Sequence, residues 1–117
     1  MKFLLLLYGD AAAEQAMTTQ ERRAIVGRHI EFARMLRERG VLVASEALSP
    51  GAEAAVVRRG GRVSDGPFAE TKEQLGGYSI VEVGSLDEAV AIARDHPLLR
   101  VGGHSIEVRP IRELPPR

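Results

Sequence analysis

Two hydrophobic periods alternate along the chain and predict its secondary structure. Residues 2–8 form an almost unbroken apolar run that ends at Gly9, which predicts a strand buried on both faces. The stretch Thr18–Glu21 has the spacing of a capping box, in which the Thr and Glu side chains bond each other's backbone amides. We predict a helix that starts there and runs to Arg39, because Gly40 then supplies the left-handed residue that commonly ends a helix.

The rest of the chain is predicted to contain short strands, turns rich in Gly and Pro, and two more helices. Strands are predicted at 41–48, 54–58, 62–64, 78–83 and 106–111. Gly60-Gly61 joins the strands at 54–58 and 62–64 into a hairpin. A short helix is predicted at 69–75 and ended by Gly76-Gly77. A second capping box at Ser85–Glu88 predicts a helix to about residue 95, which Pro97 cannot continue.

The order of these elements is that of an α+β fold. Without the hairpin they follow the β-α-β-β-α-β order of a ferredoxin-like fold, in a single domain over residues 1–117. Right-handed crossovers place both long helices on the same face of the sheet. At positions 3–7 of the first strand, the residues that face the helices and the residues that face the other way are all apolar. The face of the sheet opposite the helices therefore also needs a cover. We predict that a second copy of the chain covers it, which makes the protein a homodimer.

Composition and charge narrow the classes of function. Of the 117 residues, 44% are hydrophobic and 27% are charged, which is ordinary for a globular domain. The 16 basic and 16 acidic residues cancel, so the chain lacks the basic excess of a nucleic-acid-binding protein. The absence of Cys excludes disulfides, thiolate metal sites and a Cys nucleophile. The first apolar run is too short to span a membrane. We predict a cytoplasmic protein that binds neither nucleic acid nor membrane.

His29 is the polar residue with the most informative position. On a helical wheel it lies near the middle of the apolar face that includes Ile25, Phe32 and Leu36, so its side chain is predicted to point inward. An inward His is either a hydrogen-bonded core residue or a general acid/base in a pocket. The residues alone leave both interpretations open.

The other two histidines are predicted to be structural. His96 precedes Pro97 at the C-terminal end of a helix, where the helix dipole favours a cationic imidazole. His104 follows Gly102-Gly103 in a turn and is expected to be exposed. Because no two histidines are four residues apart on a helix and the chain has no Cys, no metal site is predicted.

A long and unusual stretch at residues 65–78 has a family resemblance. Its sequence, DGPFAETKEQLGGY, closely resembles the signature of the DGPF group within the YCII-related family, and residues 1–10 and 106–111 are similar to that group as well. The resemblance implies a dimeric α/β-barrel fold related to muconolactone isomerases and small cofactor-free oxygenases. The family has no settled activity. Its members are suggested to be small enzymes that use a His–Asp pair, and DGPF members are sometimes labelled as sigma-factor-associated proteins.

The resemblance also implies a catalytic pair. His29 matches a histidine on the first helix of YCII-related proteins, and Asp65 would orient it or supply a charge. The neighbouring Gly66-Pro67 favours a different role for Asp65, an Asx-type turn in which the carboxylate bonds its own backbone amides. A dyad needs the carboxylate within ~3 Å of an imidazole nitrogen, a distance that sequence spacing does not give.

Three further residues are candidates for substrate binding. Thr71 and Lys72 would line the mouth of a cleft and hold an anionic substrate. Alternatively, they belong to a solvated helical turn of mixed charge with Glu70 and Glu73. Tyr78 would place its hydroxyl at the edge of the pocket, or would be a core aromatic residue.

The function that we predict from the sequence is a small cofactor-independent enzyme that acts on a small organic molecule. His29 and Asp65 would perform acid–base chemistry of an isomerase or lyase type. The alternative is a noncatalytic module, either a small-molecule sensor or an accessory protein for a sigma factor. A pocket around His29 would favour the enzyme, and a tightly packed core there would favour the module.

Overall fold

The computed structural model describes residues 1–69 and 71–116, so that Glu70 of the signature stretch lies outside the described residues, as does Arg117. The helices and strands are β1 (Lys2–Asp10), α1 (Ala11–Gln15), α2 (Thr19–Glu38), β2 (Leu42–Ala47), β3 (Ala55–Val57), β4 (Val63–Asp65), β5 (Glu73–Glu82), α3 (Leu86–Arg94) and β6 (Ser105–Pro110). Short 3₁₀ turns occupy Gly51–Glu53 and Pro97–Arg100.

Local capping sets the ends of α2, as the sequence predicts. The amide of Glu21 donates to the Thr18 hydroxyl at 3.1 Å, and the amide of Thr18 donates to the Glu21 carboxylate at 3.2 Å. Gly40 follows the last turn with a φ of 74°, a conformation that favours glycine. The start of α3 differs slightly from the predicted capping box. Ser85 accepts from the amide of Glu88, but the Glu88 carboxylate accepts from the amide of Gly84, one residue before the cap.

The main sheet has the ferredoxin-like strand order. Four strands lie in the order β2-β5-β1-β6 and every pairing is antiparallel, while β3 and β4 form a separate two-stranded hairpin. The α+β class, the strand order and the inserted hairpin are therefore confirmed. Within the described residues, no helix is long and apolar enough to cross a membrane.

The start of β5 differs from the prediction. The helix predicted at 69–75 is wrong, because β5 already begins at Glu73 and runs through Gly76-Gly77. Leu7 pairs with Gly77 and Tyr8 pairs with Leu75, so Gly76 is the extra residue of a β-bulge. A Cβ on Gly77 would lie 2.9 Å from the backbone oxygen of Glu46 on β2. Gly77 therefore allows the close approach of β2, Gly76 forms the bulge, and neither ends a helix.

The core lies between the sheet and the two long helices. Phe3 and Leu5 of β1 pack with Val81 of β5, Leu36 of α2 and Ile92 of α3, all of them buried. Burial of each large side chain contributes roughly 1.5–3 kcal/mol, so this layer accounts for much of the hydrophobic stabilisation. Both helices lie on the same face of the sheet, as the rule for crossovers predicts.

Candidate active site

A cavity of about 520 Å³ opens at the end of the sheet where β1 ends and β5 begins. The sheet contributes Leu7 and Gly77 to its wall, and the first half of α2 contributes Ile25 and His29. Most of the wall is apolar, and its polar side chains come from both the helices and the sheet. Such a cavity has the size and lining of a site for a small organic molecule.

His29 lines this cavity from α2 and is half-buried, the inward orientation that the helical periodicity predicts. Its Nδ1 atom is buried and has no hydrogen-bond partner among the described residues. Burial lowers the pKa of His29 below its ordinary value of 6.5, because removal from water disfavours the charged imidazolium. His29 is therefore mostly uncharged at neutral pH and is not a fully hydrogen-bonded core residue.

His96 does not have the predicted role of a cation at a helix end. Only 1% of this residue is exposed, and it caps the 3₁₀ turn at Pro97–Arg100: the amide of Leu98 donates to its Nδ1 at 3.2 Å. Burial, followed by the charges of His29 and His104, lowers the pKa of His96 to about 4. The imidazole is consequently neutral at physiological pH, since burial outweighs the helix dipole here.

The prediction that His104 is exposed is also wrong. Only 8% of its side chain is accessible, and its Nε2 lies 3.4 Å from the carboxylate of Glu14 on α1. The cause is the pairing of β6 with β1, in which Ser105 is opposite Tyr8. This pairing carries the residue before β6 to the end of β1, where the cavity lies and where His104 contributes to its wall.

His29, His96 and His104, which we call the histidine cluster, thus come together from three separate segments. The ring centroids of His29 and His96 are 5.2 Å apart, and the two rings are tilted by 38°. The ring of Phe32 also packs against His96, with 4.9 Å between the centroids. Each imidazole of the cluster has one buried nitrogen without a partner among the described residues. Within the same residues, no group of three or more His, Cys, Asp or Glu side chains has an arrangement that could hold a metal ion.

Three charged residues add polarity to the cavity wall. They are Glu14 of α1, Arg22 of α2 and Glu46 of β2. The guanidinium of Arg22 donates to the backbone oxygen of Glu14 at 2.9 Å, which fixes the position of the basic group. Arg22 can therefore present a positive charge to an anionic group of a ligand, while Glu14 is beside His104.

The structure does not bring the other predicted site residues to this cavity. Asp65, Thr71, Lys72 and Tyr78 are all absent from its wall. Asp65 is exposed at the end of β4 in the separate hairpin, and no ion pair or hydrogen bond joins it to His29 among the described residues.

The remaining three candidates have contacts of their own. The Thr71 hydroxyl donates to the backbone oxygen of Glu73. Lys72 is 82% exposed at the side chain and lies 3.6 Å from the carboxylate of Asp10, which also caps α1. Tyr78 is half-buried opposite Leu6 of β1. These contacts stabilise the start of β5 and the sheet, and none of them faces the cavity.

Sequence reasoning missed the participation of His96, His104, Glu14 and Arg22 in the site. One signal for His104 was present in the predicted strand order: in a ferredoxin-like sheet the last strand is antiparallel to the first, so the residue before β6 meets the end of β1. No comparable local signal exists for His96, because its burial depends on the packing of α2 against the turn after α3.

Comparison with known proteins relates the whole chain to one family. The family model of the YCII-related domain matches residues 1–115. An uncharacterized protein of Rhizobium meliloti (strain 1021) is 36% identical over 114 residues, which cover 95% of this chain and 92% of the relative. A solved structure of 5-chloro-2-hydroxyhydroquinone dehydrochlorinase from Burkholderia phenoliruptrix AC1100, in complex with 2,5-dihydroxybenzoquinone, superposes with a TM-score of 0.60 at 16% identity. That match covers 96% of this chain and 94% of the enzyme, and at this identity it establishes similarity of fold.

Proposed function

Because the chain belongs to the YCII-related family, we propose that it is a small enzyme that performs acid–base chemistry on a small, mostly apolar organic molecule. The observation on which this proposal rests is the position of His29: a mostly uncharged imidazole on the wall of a cavity of about 520 Å³. A neutral imidazole can accept a proton through one nitrogen and donate one through the other, which is what proton transfer at neutral pH requires.

Two reaction types fit a single acid–base residue without a cofactor. In an isomerisation, His29 would take a proton from one atom of the substrate and return it to another, with no net change in oxidation state. In an elimination, His29 would take a proton from carbon, the electron pair of that C–H bond would form a π bond, and the leaving group would depart with its own electron pair. Both reactions balance without an external oxidant or reductant.

The charged groups of the cavity suggest which substrates to test first. Arg22 would bind an anionic oxygen of the substrate, and the apolar wall around Leu7 and Ile25 would hold its hydrocarbon part. The structurally similar enzyme is named a dehydrochlorinase and its structure holds 2,5-dihydroxybenzoquinone. We therefore propose hydroxylated ring compounds of this size as the first candidate ligands.

The experiment that tests the proposal is a titration with 2,5-dihydroxybenzoquinone, in which calorimetry measures binding to the wild type and to two variants. We expect His29→Ala to bind the probe at least about tenfold more weakly, a loss of ~1.4 kcal/mol. The matched control is Arg28→Ala, an exposed neighbour on α2 that does not line the cavity. Equal binding by His29→Ala and the wild type would refute the role of His29. Binding without chemical change of any bound compound would favour a noncatalytic binding module.

We also propose that the chain works as a homodimer that packs through the open face of the main sheet. Leu4 and Leu6 lie on the face of β1 opposite the helix-packed Phe3 and Leu5, and they are only half-buried in a single chain. Ile80 is paired with Leu4 on the neighbouring strand and continues this apolar surface. A second copy would remove these side chains from water.

A further inference from the structure

His96 lies behind the proposed acid–base residue and does not reach the cavity. It is absent from the cavity wall, but its ring packs against His29, with 5.2 Å between the ring centroids. Phe32 lies on α2 one turn after His29, and its ring centroid is 4.9 Å from that of His96. The imidazole of His96 therefore contacts two residues of α2, one of which is His29.

The backbone around His96 fixes this imidazole in one orientation. The amide of Leu98 donates to Nδ1 at 3.2 Å, the amide of His96 itself donates to the oxygen of Ala93 at 3.1 Å, and the oxygen of His96 accepts from Leu99 at 3.1 Å. Pro97 at the first position of the 3₁₀ turn restricts the backbone further.

The same contact determines where the proton of His96 resides. Because Nδ1 accepts a hydrogen bond from an amide, it carries a lone pair, and the ring hydrogen of the neutral form is on Nε2. A second proton on Nδ1 would break the bond to Leu98. Burial and the neighbouring imidazoles of His29 and His104 also oppose that proton, and they lower the pKa of His96 to about 4.

We propose that His96 is a positioning residue for His29: a buried, uncharged imidazole of fixed tautomer that sets the orientation of the His29 ring and shields it from water. The proposal rests on the proposed function, in which His29 performs proton transfer. A cationic neighbour at this distance would repel the imidazolium that His29 forms when it accepts a proton, whereas a neutral neighbour does not. The titratable groups around His96 are His29 on α2 and His104 before β6, and Glu14 on α1 is next to His104.

The first test uses the wild-type protein without any ligand. NMR of the protein labelled with ¹⁵N in its histidines reports the tautomer and charge of each imidazole as a function of pH. We expect His96 to have its hydrogen on Nε2 and to stay uncharged from pH 8 down to about pH 5. A hydrogen on Nδ1, or titration of His96 near its ordinary pKa of 6.5, would overturn the proposal.

The second test removes the ring and retains the cap. In His96→Asn the side-chain oxygen can still accept from the amide of Leu98, because Asn is a strong capping residue. The space of the ring becomes available to water, so we expect the titration midpoint of His29 to rise by about half a pH unit or more. The control is Leu99→Ala, a change at an exposed position of the same turn that keeps both imidazoles and should leave that midpoint unchanged.

These outcomes separate the inference from the proposed function. A folded His96→Asn variant with an unchanged His29 midpoint refutes the positioning role, whatever the protein binds. The two proposals can also have different outcomes. If the His29 midpoint shifts in His96→Asn but His29→Ala still binds 2,5-dihydroxybenzoquinone normally, the coupling between the two rings is supported. Only the proposed function is then refuted. If His96→Asn does not fold, the wild-type measurement can still overturn the proposal, through a hydrogen on Nδ1 or a titration near the ordinary pKa.

Discussion

Gly9 and His104 are in close contact: a Cβ on Gly9 would lie 3.1 Å from Nε2 of His104, and 2.6 Å from the carboxylate oxygen of Glu14. Glu14 is half-exposed and can move aside, whereas the side chain of His104 is nearly inaccessible and cannot. Because Gly9 has no side chain, the end of β1 leaves room for the His104 imidazole and the Glu14 carboxylate on the cavity wall.

We expect Gly9→Ala to displace His104 from Glu14 and to reduce stability by ~1 kcal/mol. The measurement is urea unfolding, with His104 followed by NMR. Gly102→Ala is the control, because a Cβ at that glycine meets nothing within 4 Å. An unaltered His104 resonance in Gly9→Ala would show that the contact is not restrictive.

Stability should depend on pH through His96. Its pKa is lowered from 6.5 to about 4 in the folded chain, so between these values the unfolded chain binds more protons than the folded one. The free energy of unfolding therefore falls as the pH falls from about 6.5 toward 4, by up to ~3 kcal/mol from this residue. The lowered pKa of His29 acts in the same direction.

Urea unfolding at pH 7 and at pH 4.5 checks this prediction, with His96→Asn as the comparison. The variant should lose less stability over this range than the wild type does, since carboxylates contribute equally to both proteins. Identical losses in the two proteins would contradict a buried, neutral His96.

His29→Ala should fold normally. The Nδ1 atom of His29 has no partner among the described residues, so its removal leaves no hydrogen-bonding group newly unsatisfied. We expect the free energy of unfolding to change by less than about 1 kcal/mol, measured by urea unfolding at pH 7. A loss above ~2 kcal/mol would identify His29 as a structural residue of the core.

Asp65→Asn should leave ligand binding unchanged. Asp65 is exposed on the hairpin and is not part of the cavity wall of its own chain. The measurement is the titration with 2,5-dihydroxybenzoquinone that tests His29. Weaker binding by Asp65→Asn would instead restore the predicted His–Asp pair and require that Asp65 reach a site in an assembled dimer.

The homodimer is tested by sedimentation. The wild type should sediment with about twice the 12.7 kDa mass of the chain, and Leu6→Glu should be monomeric because it places a charge on the open sheet face. Leu86→Glu, an exposed position on the first turn of α3, should leave the dimer intact. A stable wild-type monomer at micromolar concentration would contradict the prediction.

The sequence by itself determined those features that depend on short-range rules. The bounds of α2 follow from Thr18, Glu21 and Gly40, which act within one turn of the helix ends. The inward position of His29 follows from the helical period of its neighbours. The ferredoxin-like order follows from the sequence of elements, since few arrangements of such strands and helices are compatible with short, right-handed connections.

Only the tertiary structure decided which residues surround His29. His96 and His104 are buried because α2 packs on the turn after α3 and because β6 pairs with β1, contacts between residues far apart in the chain. The same holds for Gly76, which could as well end a helix as bulge a strand until β1 lies beside it. The solvation and charge of an imidazole depend on what surrounds it in space, and in this protein those surroundings come from segments about 70 residues apart.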